Sequence, residues 1–146
     1  MKIFIYYSLS GNGDVVKTKM ESLGYDIVKV ETQKNMPKAF FFRIMVGGFE
    51  ASISKRRKIK DIDLDLKKYD EVVIGSPIWN GRISSPINTV LSKYSFDGKK
   101  MSFILYAGGG EAKPAMKKIA KLYPNAEVKV LKEPKSNEEE LKKIEK

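Results

Sequence analysis

Five short runs of β-branched, aliphatic and aromatic residues mark the chain at positions 2–7, 25–30, 71–75, 101–107 and 126–131. Stretches with helix-like patterning or boundaries separate most of them. This alternation predicts a βαβ series, and hence a parallel sheet covered by helices. The first, third and fourth runs are almost wholly apolar (Ile3-Phe4-Ile5, Val72-Val73-Ile74, Phe103-Ile104-Leu105), the pattern of strands buried on both faces. The second carries Asp26 and Lys29 and the fifth Glu127 and Lys129, interruptions that suit edge strands. Central strands one, three and four flanked by two and five fit a doubly wound, five-stranded parallel sheet of order 2-1-3-4-5. Helices are expected over 14–23, stopped by Gly24, over 85–94, over 113–122 with Pro114 in the first turn, and over 137–146. Between Lys34 and Lys60, Phe41, Ile44, Met45 and Phe49 have helical spacing. Gly47-Gly48 interrupts them, so the segment reads as a broken helix or two short pieces.

The chain has 146 residues, the length of one ordinary domain, and neither an internal repeat nor a low-complexity linker divides it. A single domain over 1–146 is expected. No apolar run approaches the roughly 20 residues that span a bilayer, and no signal-peptide pattern opens the chain, so a cytoplasmic location is expected. Cysteine and histidine are both absent. Thiolate nucleophiles, imidazole bases and zinc sites built on those ligands are therefore excluded, and any redox chemistry must come from a cofactor. The formal charge of +10 favours acidic partners, although it equally serves solubility. Its densest patch, Lys55, Arg56, Arg57, Lys58 and Lys60, has no interleaved aromatics, so specific nucleic-acid binding is not expected.

In open α/β sheets ligands bind beyond the carboxyl ends of the strands, where strand order reverses. The three central strands lead into the chain's unusual loops: Ser8-Leu9-Ser10-Gly11-Asn12-Gly13, Ser76-Pro77-Ile78-Trp79-Asn80-Gly81 and Gly108-Gly109-Gly110-Glu111. In the first, hydroxyls, an amide and two glycines precede a helix, the composition of a phosphate cradle made from backbone N–H groups. With no Lys or Arg between Lys2 and Lys17, a phosphate there would be held mainly by neutral donors. The plainer alternative is a capping turn. The glycine pattern ends at Val16 where a dinucleotide fingerprint needs its third glycine, which makes a nicotinamide dinucleotide a weak alternative despite Glu31. The second loop holds the sole tryptophan, Trp79, either a wall for a planar ligand or a core residue. Pro77 and Pro86 restrict its flanks, and Asn80-Gly81 suits positive φ.

At these residues the chain resembles the flavodoxin family over nearly its whole length. Residues 6–12, Tyr-Tyr-Ser-Leu-Ser-Gly-Asn, are similar to the family's phosphate loop, [ST]-x-[ST]-G-x-[ST], with Gly13 in the place of the last hydroxyl. Residues 69–81 with Pro86-Ile87-Asn88 are similar to the strand and flavin-side loop of small flavodoxin-like proteins. The resemblance implies a flavodoxin-like fold and an FMN-binding electron-transfer protein. It implies phosphate binding at Ser8, Ser10, Gly11, Asn12 and Gly13, and a flavin between Pro77, Ile78, Trp79, Asn80 and Gly81 on one side and Gly108, Gly109 and Gly110 on the other. It further implies that the peptide at Asn80-Gly81 can turn a carbonyl toward the flavin. A redox partner with an acidic face would suit the basic chain. Two rival readings are an FMN-dependent reductase of a quinone or similar acceptor, and a flavin-free module that binds an acidic partner.

Overall fold

The computed structural model describes residues 1–32 and 59–144. The elements expected over 34–60, apart from the last two residues, and the basic cluster at 55–58 lie outside the described residues. Strands β1 (Lys2–Tyr6), β2 (Asp26–Lys29), β3 (Glu71–Trp79), β4 (Arg82–Ile83), β5 (Lys100–Ala107) and β6 (Glu127–Lys132) form one sheet. Its main path runs β2-β1-β3-β5-β6, with parallel neighbours throughout and β4 paired antiparallel to β3. This is the flavodoxin-like doubly wound order expected, with one short strand added. Helices α1 (Asn12–Ser22), α2 (Ser85–Lys93) and α3 (Lys113–Leu122) lie close to the positions their sequence signals suggest.

Two apolar layers follow from the two-residue period of the strands. Ile3, Ile5, Val72, Ile74, Phe103 and Leu105 point to one face, where Ile87 and Val90 of α2 and Ile119 of α3 cover them. Phe4, Tyr6, Val73, Ile104 and Tyr106 point to the other, against Val16 and Met20 of α1. Both faces of the central strands are therefore dry, which is why those runs are almost continuously apolar. The edge strands β2 and β6 remain partly open to solvent, as their charges require.

Two elements differ from expectation. The third strand does not end at Gly75 but continues through Ser76-Pro77-Ile78 to Trp79 and turns back into β4, with Ile78 opposite Ile83 and Trp79 opposite Arg82. By Pro77, β1 has already ended opposite Gly75, so a residue with no N–H is tolerated on that margin while the register with Tyr106 of β5 is kept. The turn is Asn80-Gly81, at φ 53° and 76°; two positive φ values in a two-residue hairpin are those of a type I′ turn. The last segment is a 3-10 helix, Glu138–Ile144, in place of an α-helix over 137–146. Half-buried Leu141 and buried Ile144 are three residues apart, which brings both to one side at three residues per turn. Among the described residues no helix is long and apolar enough to cross a membrane.

Candidate functional site: the carboxyl edge of the sheet

Parallel pairing of β1, β3 and β5 brings residues 8–13, 76–81 and 108–111 to one edge. Tyr7 N–H extends the ladder to the Gly75 carbonyl at 3.1 Å, and the fully buried Tyr106 hydroxyl donates to the Tyr7 carbonyl. The first loop is thus tied at its root to β3 beside it and to β5 beyond.

Within that loop the Ser8 hydroxyl accepts the amides of Gly11 (3.2 Å) and Gly13 (3.0 Å). The hydroxyl proton remains available to an outside acceptor. The amides of Ser10 and Asn12 find no acceptor among the described residues, and they stand where α1 begins, next to the positive end of its dipole. Gly11, the residue preceding α1, sits at φ 97°, a conformation glycine adopts without strain. Gly13 is required for a different reason. A Cβ there would lie 2.6 Å from the Tyr106 hydroxyl oxygen, 2.7 Å from Ser8 Cβ and 2.9 Å from Tyr6 Cδ2. The first turn of α1 therefore rests directly on the two tyrosines beneath it.

Asp14, close to this loop, is turned away from it. Its Oδ1 accepts the Tyr6 hydroxyl at 2.7 Å and the Lys29 ammonium at 3.0 Å. Burial alone would raise the Asp14 carboxyl, but those two hydrogen bonds and the charges of Lys29 and Lys17 outweigh it and hold the group below its ordinary range. Burial first, and then the bond to Asp14, push the Tyr6 hydroxyl well above its usual value. The carboxylate is in this way compensated on the inner side, leaving the outer face of the loop to its N–H donors.

The hairpin supplies the second wall. Its tip is exposed at Asn80, and the Gly81 carbonyl accepts the Ala115 amide of α3 at 2.9 Å. Of the two turn carbonyls, that of Asn80 therefore belongs to the peptide that could rotate without breaking the Ala115 bond. Trp79 is only 2% exposed and meets Tyr7 edge-on, with ring centroids 6.1 Å apart and planes at 87°. Its ring belongs to the core layer that contains Ile83 and Ile87. Pro77 is buried and Ile78 half-buried, both packed as strand residues. The Ser76 hydroxyl, also buried, accepts the Ser84 amide at 3.0 Å and lies 2.9 Å from the Ser84 hydroxyl, clamping the hairpin to the start of α2. Asn88, part of the family-like motif, proves to be scaffold: its Nδ2 donates to the Ile83 carbonyl (3.4 Å) and its Oδ1 accepts Lys118 (2.8 Å). The third loop is open. Gly108 and Gly109 are exposed, nothing stands within 4 Å of a Cβ built on Gly109, and Gly110 closes a turn on the Ala107 carbonyl.

One residue at this edge is invisible to sequence spacing. Lys135 donates its backbone amide to Asn12 Oδ1 (3.0 Å) and its ammonium to the Ser10 carbonyl (3.2 Å), and its stem crosses Gly11. To the mainly neutral donors that the sequence places at this loop, the fold adds a cation from 125 residues away. No local signal could have found it. Among the described residues, no group of three or more Asp and Glu side chains is arranged to hold a metal ion.

The sequence matches a family model described as flavodoxin over residues 48–145. Solved structures with this fold include a candidate flavoprotein from Bacteroides uniformis ATCC 8492, 22% identical, covering 99% of this chain and 97% of that one with a TM-score of 0.77. A candidate flavoprotein from Bacteroides eggerthii DSM 20697 is 23% identical, over 88% and 84% of the two chains, with a TM-score of 0.74. A flavoprotein from Lactobacillus acidophilus NCFM, solved in complex with FMN, is 19% identical over 94% and 96%, with a TM-score of 0.73. At these identities the likeness is one of fold. No curated protein matches the sequence.

Proposed function

The chain belongs to the flavodoxin family, and from that premise we propose that it binds FMN at the carboxyl edge of its sheet and serves as an electron carrier. The observation that carries this reading is the first loop. Ser10 and Asn12 amides without acceptors, a Ser8 hydroxyl with its proton to give, and a carboxylate compensated on the far side make a set of donors suited to a phosphate monoester. When bound, FMN supplies the one-electron chemistry, for which the chain itself has neither thiol nor imidazole.

In this reading Ser8, Ser10, Gly11, Asn12 and Gly13 hold the phosphate. The hairpin tip at Asn80-Gly81 and the open turn at Gly108, Gly109 and Gly110 border the ring system. Trp79, Pro77 and Ile78 stiffen the hairpin from below, and the Asn80 carbonyl is the group that would turn toward the ring. The partner is an acidic-faced redox protein. Exposed Lys113, Lys117 and Lys121 recur every four residues along α3 and line a groove with Arg82 of the hairpin. That places a cationic strip beside the proposed ring edge, where it would steer such a partner. The test is titration of the purified protein with FMN, riboflavin and FAD, followed by flavin absorption and fluorescence quenching. The reading requires FMN to bind most tightly; equal affinity for riboflavin would remove the phosphate role of the loop.

The openness around Gly109 favours a second reading, an FMN-dependent reductase of a quinone or similar acceptor, which needs an accessible flavin face. Sustained NAD(P)H oxidation by the holoprotein would select it over a carrier.

A further inference from the structure

We propose that Lys135 is the counter-charge of the anion-binding loop, closing on a phosphate monoester at residues 8–13 and giving that loop its preference for phosphorylated flavin. The inference rests on the FMN reading and deepens it. Three observations carry it.

The first is that the cation has no counter-charge. Lys29 is taken up by Asp14 (3.0 Å) and Lys17 by Glu21 (3.8 Å). The Lys135 ammonium instead sits on a neutral carbonyl, that of Ser10, with no carboxylate in ion-pair range among the described residues. A full charge resting on a neutral oxygen beside acceptor-free amides is poised to exchange that contact for an ionic one.

The second is that the lysine is held in place. Residues 133–137 form a tight turn in which the Ser136 and Asn137 amides both donate to the Glu133 carbonyl, at 2.9 and 3.0 Å. Glu133 lies at φ 43°, Pro134 is buried, and Asn137 Nδ2 holds the Lys132 carbonyl at 3.0 Å. The Lys135 amide then fastens this turn to Asn12 Oδ1. The backbone that carries the side chain is thus fixed before binding, so the ammonium starts from a prepared position beside the loop.

The third is the fit of the stem. A Cβ at Gly11 would lie 3.1 Å from Lys135 Cδ and 3.4 Å from Cε, so the loop's glycine makes room for this side chain as well as for its own φ. The phosphate loop and the turn after β6 are thus shaped to each other. A salt bridge across a protein surface would need no such matching.

The test compares the wild type with Lys135→Met, which keeps the apolar stem over Gly11, and with Lys135→Arg, which keeps the charge. Each is titrated with FMN and with riboflavin at two salt concentrations. Loss of one charge-assisted contact is expected to weaken FMN binding by roughly tenfold or more. Riboflavin affinity should not change, the salt dependence of FMN binding should fall, and arginine should restore most of the loss. If the wild type prefers FMN and Lys135→Met keeps that preference within twofold, the proposal is overturned while the FMN reading stands. If both flavins weaken together in Lys135→Met, the residue is a structural staple and the proposal is overturned. If the wild type binds neither flavin, the FMN reading falls, and inorganic phosphate decides the lysine's role. Phosphate-induced amide shifts at residues 8–13 that vanish in Lys135→Met would uphold it, and their absence in the wild type would overturn it.

Discussion

Replacing Gly13 with serine would complete the family's phosphate pattern, and from pattern alone the variant should bind FMN more tightly. The packing says the opposite. The new Cβ would stand 2.6 Å from the Tyr106 hydroxyl, 2.7 Å from Ser8 Cβ and 2.9 Å from Tyr6 Cδ2, all well inside van der Waals contact. These obstacles belong to β5, the loop and β1, so no single rotation relieves them. Tyr106 is fully buried and bonded to the Tyr7 carbonyl, and Ser8 is engaged by two amides. Overpacking of this kind costs about 1 to 3 kcal/mol. The unfolded chain's loss of glycine freedom returns about 0.4 to 1 kcal/mol. The middle of each range leaves a net loss of about 1.3 kcal/mol, or a Tm lower by about 3 to 5 °C for a chain of this size. Denaturant unfolding of the flavin-free protein measures the loss of stability, and FMN fluorescence titration shows whether binding tightens or weakens. Gly13→Ala, which adds the Cβ alone, should lose as much stability as Gly13→Ser, and adding Tyr106→Phe should recover part of it. A Gly13→Ser protein as stable as the wild type, with tighter FMN binding, would refute this account of the loop.

Further outcomes can be stated for other positions. Trp79→Ala should cost about 3 to 5 kcal/mol of stability, the range for a truncated buried aromatic, with a smaller change in FMN affinity of the folded fraction; intact stability with a collapse of FMN binding would instead make the ring itself the flavin wall. Asp14 has a folded-state pKa below its unfolded value, so its stabilisation is present above about pH 4 and disappears as pH falls through the folded pKa. Stability measured against pH should therefore show wild type and Asp14→Asn separated by a constant gap near neutrality and converging below about pH 4; a gap unchanged in acid would contradict the network with Tyr6 and Lys29. The Ser85 hydroxyl is buried without a hydrogen-bond partner among the described residues, whereas that of Ser76 accepts the Ser84 amide. Ser85→Ala should be neutral or stabilising and Ser76→Ala destabilising by about 1 to 3 kcal/mol, because it orphans a buried N–H; chemical denaturation of both variants would expose a reversed order.

What the sequence determined by itself is what short-range chemistry controls. Continuous apolar runs at 3–5, 72–74 and 103–105 marked strands buried on both faces, while Asp26, Lys29, Glu127 and Lys129 marked the edges, and the doubly wound rule then ordered the sheet. Asn80-Gly81 announced a turn because two adjacent positive φ values are inexpensive for that pair. Ser8, Ser10, Gly11 and Asn12 announced a turn into a helix, because hydroxyl, amide and glycine preferences at a helix start are local. The rest required the folded chain. Residues 76–79 read as a loop, since Ser-Pro-Ile-Trp has no strand period, and it is the register with β5 and the hairpin to β4 that holds them extended. Whether Trp79 faced a ligand or the core depended on Tyr7, a residue of another strand's end. Gly13 looked like a defect in a phosphate pattern until Tyr6 and Tyr106 were seen to leave no space for a side chain. Lys135 is 123 residues from Asn12 in the chain and one hydrogen bond from it in space. Local preference acts over a few residues and can be read from them. Close packing and charge compensation act between surfaces that the sheet brings together, and only the tertiary structure decides which surfaces those are.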